Sequence, residues 1–454
     1  MFKESIFQST KTKLVWSYLP MPVFSKNGAL DGEFIKSGTN TCKIKKYILI
    51  QNILGCYTKK GTIKWINYEN SLIEVVRDKM LGDGISLTKG ETLILYGETE
   101  IWFNYMKRWC IQQGFSNTYK ILEKIGKGNQ AEVYSCRYQL GDEKFAVKQY
   151  SKHKLTNRLD KIALLKEISI LRQVQHENVV HLYEVFENED TIYVVMELLE
   201  GGDLYDYLKQ PNSFLSEKQL ASFIYRLFKA ILSFHKFGIM HRDLKPKNII
   251  LRKQSLSQFC VADFGLADYF NKDGKYLFQR CGTPGFVAPE ILRDEFYDFK
   301  VDVFSVGVIM YIIICGEEPF AGDYNETITK NYQGQVDVSK LKVSEQGLLF
   351  LKSLFEVKEL RPTVKEAMNH QWFKQEKIVT EKYRIRIKEP QIKQAQLFLP
   401  STRETLASSH SQFLKPMRTA SSTRNSNYRL SPIGSQKPNK TPNPSPSLKR
   451  KSLK

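Results

Sequence analysis

Between Tyr119 and Phe373 the hydrophobic pattern passes from mostly period two to mostly helical, and that shift restricts the fold more than any other feature of the chain. The stretch YKILEKIGKGNQAEVYSCRYQLGDEKFAVKQYS alternates apolar and polar residues on both sides of Gly126 and Gly128, the period-two pattern of a hairpin. After it, RLDKIALLKEISILRQV places Ile162, Leu164, Leu165, Ile168 and Leu171 at helical spacing, with Glu167 projecting from the same helix. TIYVVMELLEGGDLYDYL reads as a buried strand, a short connector and a helix, and the remainder is mostly helical, including the amphipathic FIYRLFKAILSFHKFGIM. A run of strands followed by a run of helices is an α+β signature.

With 454 residues the chain exceeds one ordinary domain. Its net charge of +20 is unevenly spread. Residues 1–115 hold 16 Lys/Arg and 10 Asp/Glu, residues 374–454 hold 18 and 4, and the middle balances at 34 each. The last segment is rich in Ser, Pro, Asn and Lys and poor in apolar residues, so it cannot bury enough surface to offset its ordering entropy and is expected to be disordered. Basic flanks point to an anionic partner surface or to simple solvation. Seven cysteines without a C-x-x-C pair argue against a disulfide framework or a zinc site and suggest a reducing compartment. The start MFKESIFQSTKTK has no apolar core of a secretory signal, and VGVIMYIIIC (306–315) spans only half a bilayer and reads as a buried helix.

The neutral middle also carries eight short motifs in order: IGKGNQAEV, FAVK, Glu167 in its helix, HRDLKPKN, DFG, GTPGFVAPE, DVFSVGV and RPT. A lone G-x-G would be weak evidence, and the absence of G-x-x-x-x-G-K-[ST] excludes a P-loop. Taken together, the motifs make residues 119–373 resemble a eukaryotic protein kinase catalytic domain, closest to the calcium/calmodulin-dependent group of Ser/Thr kinases. The resemblance implies a bilobal domain with ATP and Mg2+ in its cleft and protein Ser/Thr hydroxyls as substrates. A pseudokinase scaffold and a membrane-recruited adaptor are the alternatives.

The same resemblance assigns roles. Ile125, Gly126, Lys127 and Gly128 would cover the ATP phosphates, where a Cβ would block close approach. Lys148, aimed by Glu167, would hold the α- and β-phosphates, while Asp263 and Asn248 would ligate the metal. Asp243 would be the base and Lys245 the γ-phosphate clamp, with Thr283 bridging them. Val133, Ala146 and Ile250 would sandwich the purine beside Met196, and Glu197 and Leu198 would offer it backbone hydrogen bonds. Leu171, Leu182, His241 and Phe264 resemble the spine between lobes, anchored by Asp302, and Glu290 and Arg361 resemble a buried structural ion pair. Three departures stand out. Ala131 replaces a third glycine, Lys247 reverses the charge of a usual Glu, and no Ser or Thr lies between Leu266 and Gly282, where Gln279 occupies the phosphosite position. The usual phosphate contacts to Arg242 therefore cannot order that loop, with phosphorylation of Tyr276 as the escape route.

Ahead of this domain and beyond a 1–29 extension, residues 30–115 give several alternating strands and then ETEIWFNYMKRWCIQQGF, apolar at Ile101, Trp102, Tyr105, Met106 and Trp109 as in one amphipathic helix. Strands closed by one Trp-bearing helix resemble a pleckstrin-homology domain. That resemblance implies a partly open β-barrel with phosphoinositide or protein as partner, and the cations expected to face a lipid are Lys36, Lys43, Lys45 and Lys46. The expected chain is cytoplasmic, with an option of peripheral membrane contact. No nucleic acid partner is expected, and the lack of a D-x-[DN]-x-[DN]-G loop argues against direct Ca2+ binding.

Overall fold

A computed structural model describes residues 5–7, 13–17, 29–37, 42–128, 131–210, 214–374 and 385–386. The expected disordered tail lies outside these residues except at Lys374 and at Ile385–Arg386, which pair with Phe214–Leu215.

Seven strands form the N-terminal sheet: β1 (Leu30–Ser37), β2 (Cys42–Ile50), β3 (Ile53–Tyr57), β4 (Ile63–Asn67), β5 (Leu72–Asp78), β6 (Gly82–Lys89) and β7 (Glu91–Tyr96). All pairings are antiparallel, in the order β4-β3-β2-β1-β7-β6-β5. Helix α1 (Glu100–Met106) lies on one face, where Trp102 meets Phe34 edge-on with ring centroids 4.7 Å apart. A Cβ on Gly32 would come within 3.0 Å of that indole, so this glycine lets the helix approach the strand. Tyr47, Leu49, Leu54, Ile66, Ile85 and Leu95 complete this core.

The expected long helix ends early. Ile101 is exposed, and Trp109 falls outside α1. The cause is a competing backbone arrangement. Ile111 exchanges hydrogen bonds with Ser71 and Ile73 of the N-terminal domain, while Gln112 exchanges them with Val185 and Glu187. These ladder bonds hold residues 111–112 between two sheets, so a helix there would forfeit them.

The second sheet has the order β11-β12-β10-β9-β8, from β8 (Tyr119–Lys127), β9 (Ala131–Tyr138), β10 (Lys144–Ser151), β11 (Leu182–Glu187) and β12 (Thr191–Glu197). Helix α2 (Arg158–Gln173) begins at Asn157, whose side chain caps Asp160 N, and it buries Leu164, Ile168 and Leu171. After α3 (Leu204–Lys209), α4 (Glu217–His235) starts in a reciprocal capping box between Ser216 and Gln219. Helix α5 (Lys300–Cys315) is buried along nearly all its length, which is why its sequence is apolar on every side. Among the described residues no helix is long and apolar enough to cross a membrane, and none of the six cysteines with described side chains forms a disulfide.

Candidate active site

The end of α4 and the start of α5 hold a loop by its backbone. Asp302, fully buried in the first turn of α5, accepts from His241 N and Arg242 N at 2.9 Å each and from His235 Nε2 at 2.8 Å. Burial opposes its ionisation, but His235, His241 and the His241 amide override this and hold the carboxyl below its usual range. The anchor fixes where Asp243 points. Two residues in this region, Arg242 (φ 65°) and Asp263 (φ 61°), have left-handed backbones that non-glycine residues rarely adopt, and such strain clusters at functional sites.

Asp243 lies at the centre of a closed network. Lys245 Nζ donates to Asp243 Oδ2 (2.8 Å) and to Thr283 Oγ1 (2.7 Å), and Thr283 donates onward to Asp243 Oδ1 (2.6 Å). Asn248 Nδ2 donates to the backbone oxygen and to Oδ2 of Asp243, at 2.8 and 3.0 Å. Across the cleft, Lys148 Nζ lies 2.7 Å from Glu167 Oε1 and 3.4 Å from Asp263 Oδ1, and Tyr150 steadies the other Glu167 oxygen at 2.9 Å. Burial alone would lower the Lys148 ammonium, but Glu167, Tyr150 and Asp263 outweigh it, so Lys148 stays charged. Lys148 in turn holds the Asp263 carboxyl down. This arrangement can fix a polyphosphate and orient a hydroxyl.

Residues 119–373 match the protein kinase domain family, more than half of the chain. The chain belongs to the protein kinase family. Myosin light chain kinase A of Dictyostelium discoideum is 34% identical over 267 residues, covering 56% of this chain and 88% of that protein. Mouse serine/threonine-protein kinase DCLK3 is 35% identical over 263 residues, 56% of this chain and 32% of that protein. A probable serine/threonine-protein kinase 2 of Plasmodium falciparum is 34% identical over 268 residues, 57% and 51% respectively. Against these last two, the match spans about half of the relative or less. The catalytic domain is that of a protein serine/threonine kinase with relatives in the calcium/calmodulin-dependent group.

The other expected kinase residues fall as follows. Gly126 lies within β8, ahead of the expected turn, and pairs with Val133 of β9; Ala146 and Met196 pair across β10 and β12, and Ile250 sits half-buried in Ile249–Leu251. Ile125 and Lys127 lie exposed in β8 and Gly128 follows it. Glu197 donates its N–H to His181 O at 2.9 Å and forks its carboxylate onto Arg252 at 2.6 and 3.2 Å, so a backbone hydrogen bond to a purine would come from its carbonyl; Leu198 follows the strand without regular structure. Leu171, Leu182, His241 and Phe264 are all buried, with His241 and Phe264 rings 4.8 Å apart. Glu290 and Arg361 form a buried fork at 2.6 and 3.1 Å, with the guanidinium 5.0 Å from the Phe304 ring.

Of the four N-terminal lysines the structure brings together three. Lys36 faces Lys43 directly across the β1–β2 ladder and Lys45 faces Phe34 on that same side, whereas Lys46 faces Glu33 on the other and lies over Tyr57. Lys64, which sequence reasoning passed over, joins the group, with its ammonium 4.4 Å and that of Lys36 5.9 Å from the Trp16 ring. Burial, then Lys64 and Lys45, push the Lys36 ammonium down.

Asp268 was also missed. Its carboxylate accepts from Arg242 Nη2 (3.3 Å), from Lys166 Nζ of α2 (2.5 Å) and from Leu277 N (3.0 Å). Arg242 completes its contacts at Leu266 O, Phe278 O and the Tyr297 hydroxyl, 2.9 Å each. The available signal was an acid five residues after Asp263, in a loop that lacks Ser and Thr.

Proposed function

We propose that the chain transfers the γ-phosphoryl group of ATP to serine and threonine hydroxyls of proteins, with Asp243 orienting the acceptor hydroxyl and receiving its proton. The observation that carries this reading is the Lys245–Thr283–Asp243–Asn248 network, which fixes both Asp243 oxygens before any substrate arrives. Bound Mg2+ would neutralise the phosphate oxygens. The residues fit it: Asp263 is half open to the cleft and held ionised by Lys148, and Asn248 spends its Nδ2 on Asp243, leaving its oxygen for a hard cation. Lys148 and Lys245 supply the fixed positive charge for the transferring group. Incubating the purified full chain with radiolabelled ATP, magnesium and arrayed peptides tests the reading, and myosin light chain is a natural first protein substrate given the relative's name. Label in phosphoserine and phosphothreonine is expected; no transfer from a folded, ATP-binding chain would favour a pseudokinase scaffold.

For the N-terminal domain, a pleckstrin-homology-like assignment is supported by seven antiparallel strands closed by a Trp-bearing helix. The clustering of Lys36, Lys43, Lys45 and Lys64 favours an anionic surface such as a phosphoinositide membrane as its partner, which would place a cytoplasmic enzyme at the membrane periphery.

A further inference from the structure

The N-terminal domain is joined to the kinase domain at the helix that carries Glu167. Arg172, one residue before the end of α2, is fully buried and spends its guanidinium on the N-terminal side. Nε donates to Arg108 O (2.7 Å), one terminal nitrogen to Asn70 Oδ1 (2.6 Å) and the other to Cys110 O (2.8 Å). Arg108 reaches back the other way, donating to Arg172 O at 2.9 Å and Leu171 O at 3.4 Å. Those carbonyls belong to the last turn of α2, where helical carbonyls lack intrahelical partners and a cation suits the dipole. Each arginine thus closes on the backbone of the other's element.

A second contact braces the same corner. Glu184 of β11 takes Lys107 Nζ at 2.8 Å and Gln112 Nε2 at 3.0 Å, while the Gln112 backbone pairs with β11. Lys107, Arg108, Cys110 and Gln112 all come from the six residues after α1. The helix so held places Glu167 against Lys148, and the site tolerates little misplacement of such groups.

We propose that Arg172, with its partners Arg108 and Asn70, is a positioning residue for phosphotransfer: through it the N-terminal domain sets α2, and with it Glu167, in the geometry that aims Lys148. The inference rests on the kinase reading above. It makes the N-terminal domain a working part of the catalytic unit in addition to any surface-binding role.

The test uses the full chain and measures kcat and ATP KM with a peptide substrate, alongside a thermal melt. Arg172→Gln is expected to lower kcat/KM for ATP about tenfold, the scale of coupling through a packed element. In a Glu167→Gln background the same substitution should cost less than twofold, because the group it positions is already gone. Equal losses in both backgrounds would mean Arg172 supports folding only and would overturn the inference. Asn70 has a left-handed backbone (φ 62°), so Asn70→Gly removes the acceptor without straining the turn and Asn70→Asp keeps it. Several-fold loss in the glycine variant with near-full activity in the aspartate variant is expected, and this pair decides the matter if Arg172→Gln does not fold. Full activity in folded Arg172→Gln and Asn70→Gly also overturns the inference. An inactive wild-type chain would instead refute the kinase reading.

Discussion

Both Asp243 oxygens are held, Oδ2 by Lys245 and Asn248 and Oδ1 by Thr283, so the carboxylate is fixed in orientation while Oδ1 keeps acceptor capacity for an incoming hydroxyl. Replacing it with Asn keeps the shape but removes the proposed proton acceptor. Asp243→Asn should lower kcat by about 10²–10⁴-fold while ATP affinity hardly changes, measured by peptide phosphorylation and nucleotide titration. Turnover near the wild-type level would remove Asp243 from the role of base. Lys247, four residues on, is exposed with its ammonium 5.3 Å from the Tyr205 ring, and Lys209 lies 3.9 Å from the same ring. Asp203, the nearby acid that could attract a substrate arginine, already caps Asp206 N at 2.8 Å. A lysine near an upstream substrate arginine costs about 1 kcal/mol after solvent screening, about fivefold. Matched peptides with Arg or Glu upstream of the target hydroxyl should therefore show little Arg preference, and Lys247→Glu should shift it toward Arg. A strong wild-type Arg preference that Lys247→Glu leaves unaltered would refute this.

The segment from Leu266 to Gly282 shows how an element can be held without modification. Asp268 supplies a carboxylate that Arg242, Lys166 and Leu277 N share, so the catalytic loop, α2 and the segment meet on one resident charge. Tyr276, one of two phosphorylatable hydroxyls in the stretch beside Tyr269, stacks on Tyr297 at 4.6 Å and donates to its carbonyl at 3.1 Å. Activity is expected to survive phosphatase treatment. Asp268→Asn leaves Arg242 and Lys166 facing a neutral amide, and removing one partner of a buried ion pair is costly. The variant should lose about tenfold in kcat by the same peptide assay, the scale of a positioning contact. Phosphatase-sensitive wild-type activity whose loss tracks Thr283 would show that modification, not Asp268, orders the segment.

At the scale of the whole molecule the two sheets share residues 111–112, and the basic end of the N-terminal sheet is built from β1, β2 and β4. Each cation near an anionic leaflet contributes about 1 kcal/mol, and the contribution fades with salt. Reversing Lys36, Lys45 and Lys64 together should weaken binding of the full chain to phosphoinositide vesicles by roughly two orders of magnitude. Lys46→Glu, on the opposite face, should do much less. Co-sedimentation at low and high salt checks both, and binding indifferent to salt and to the triple reversal would rule out the electrostatic mechanism.

How much of this the sequence determined depends on the range over which each feature is specified. The hairpin at Gly126, the α2 helix and the loop of HRDLKPKN are local, written in period, caps and spacing, and those residues were legible before any coordinates. The kinase site was legible because its eight motifs keep their order, although their parts meet only in space. Three features were not legible, each for the same reason. Trp109 looked helical because its spacing is helical, but the pairing of residues 111–112 with two distant strands outweighed that local pattern. Lys46 looked like a neighbour of Lys45, but pleating sends adjacent side chains to opposite faces, and Lys64 joins the cluster from a strand further on. Asp268 and Arg172 are single charges with no periodicity, and their partners lie about a hundred residues away at Lys166 and Asn70. Local backbone preference reaches only a few residues along the chain, so such pairings exist only once the core has brought the elements together.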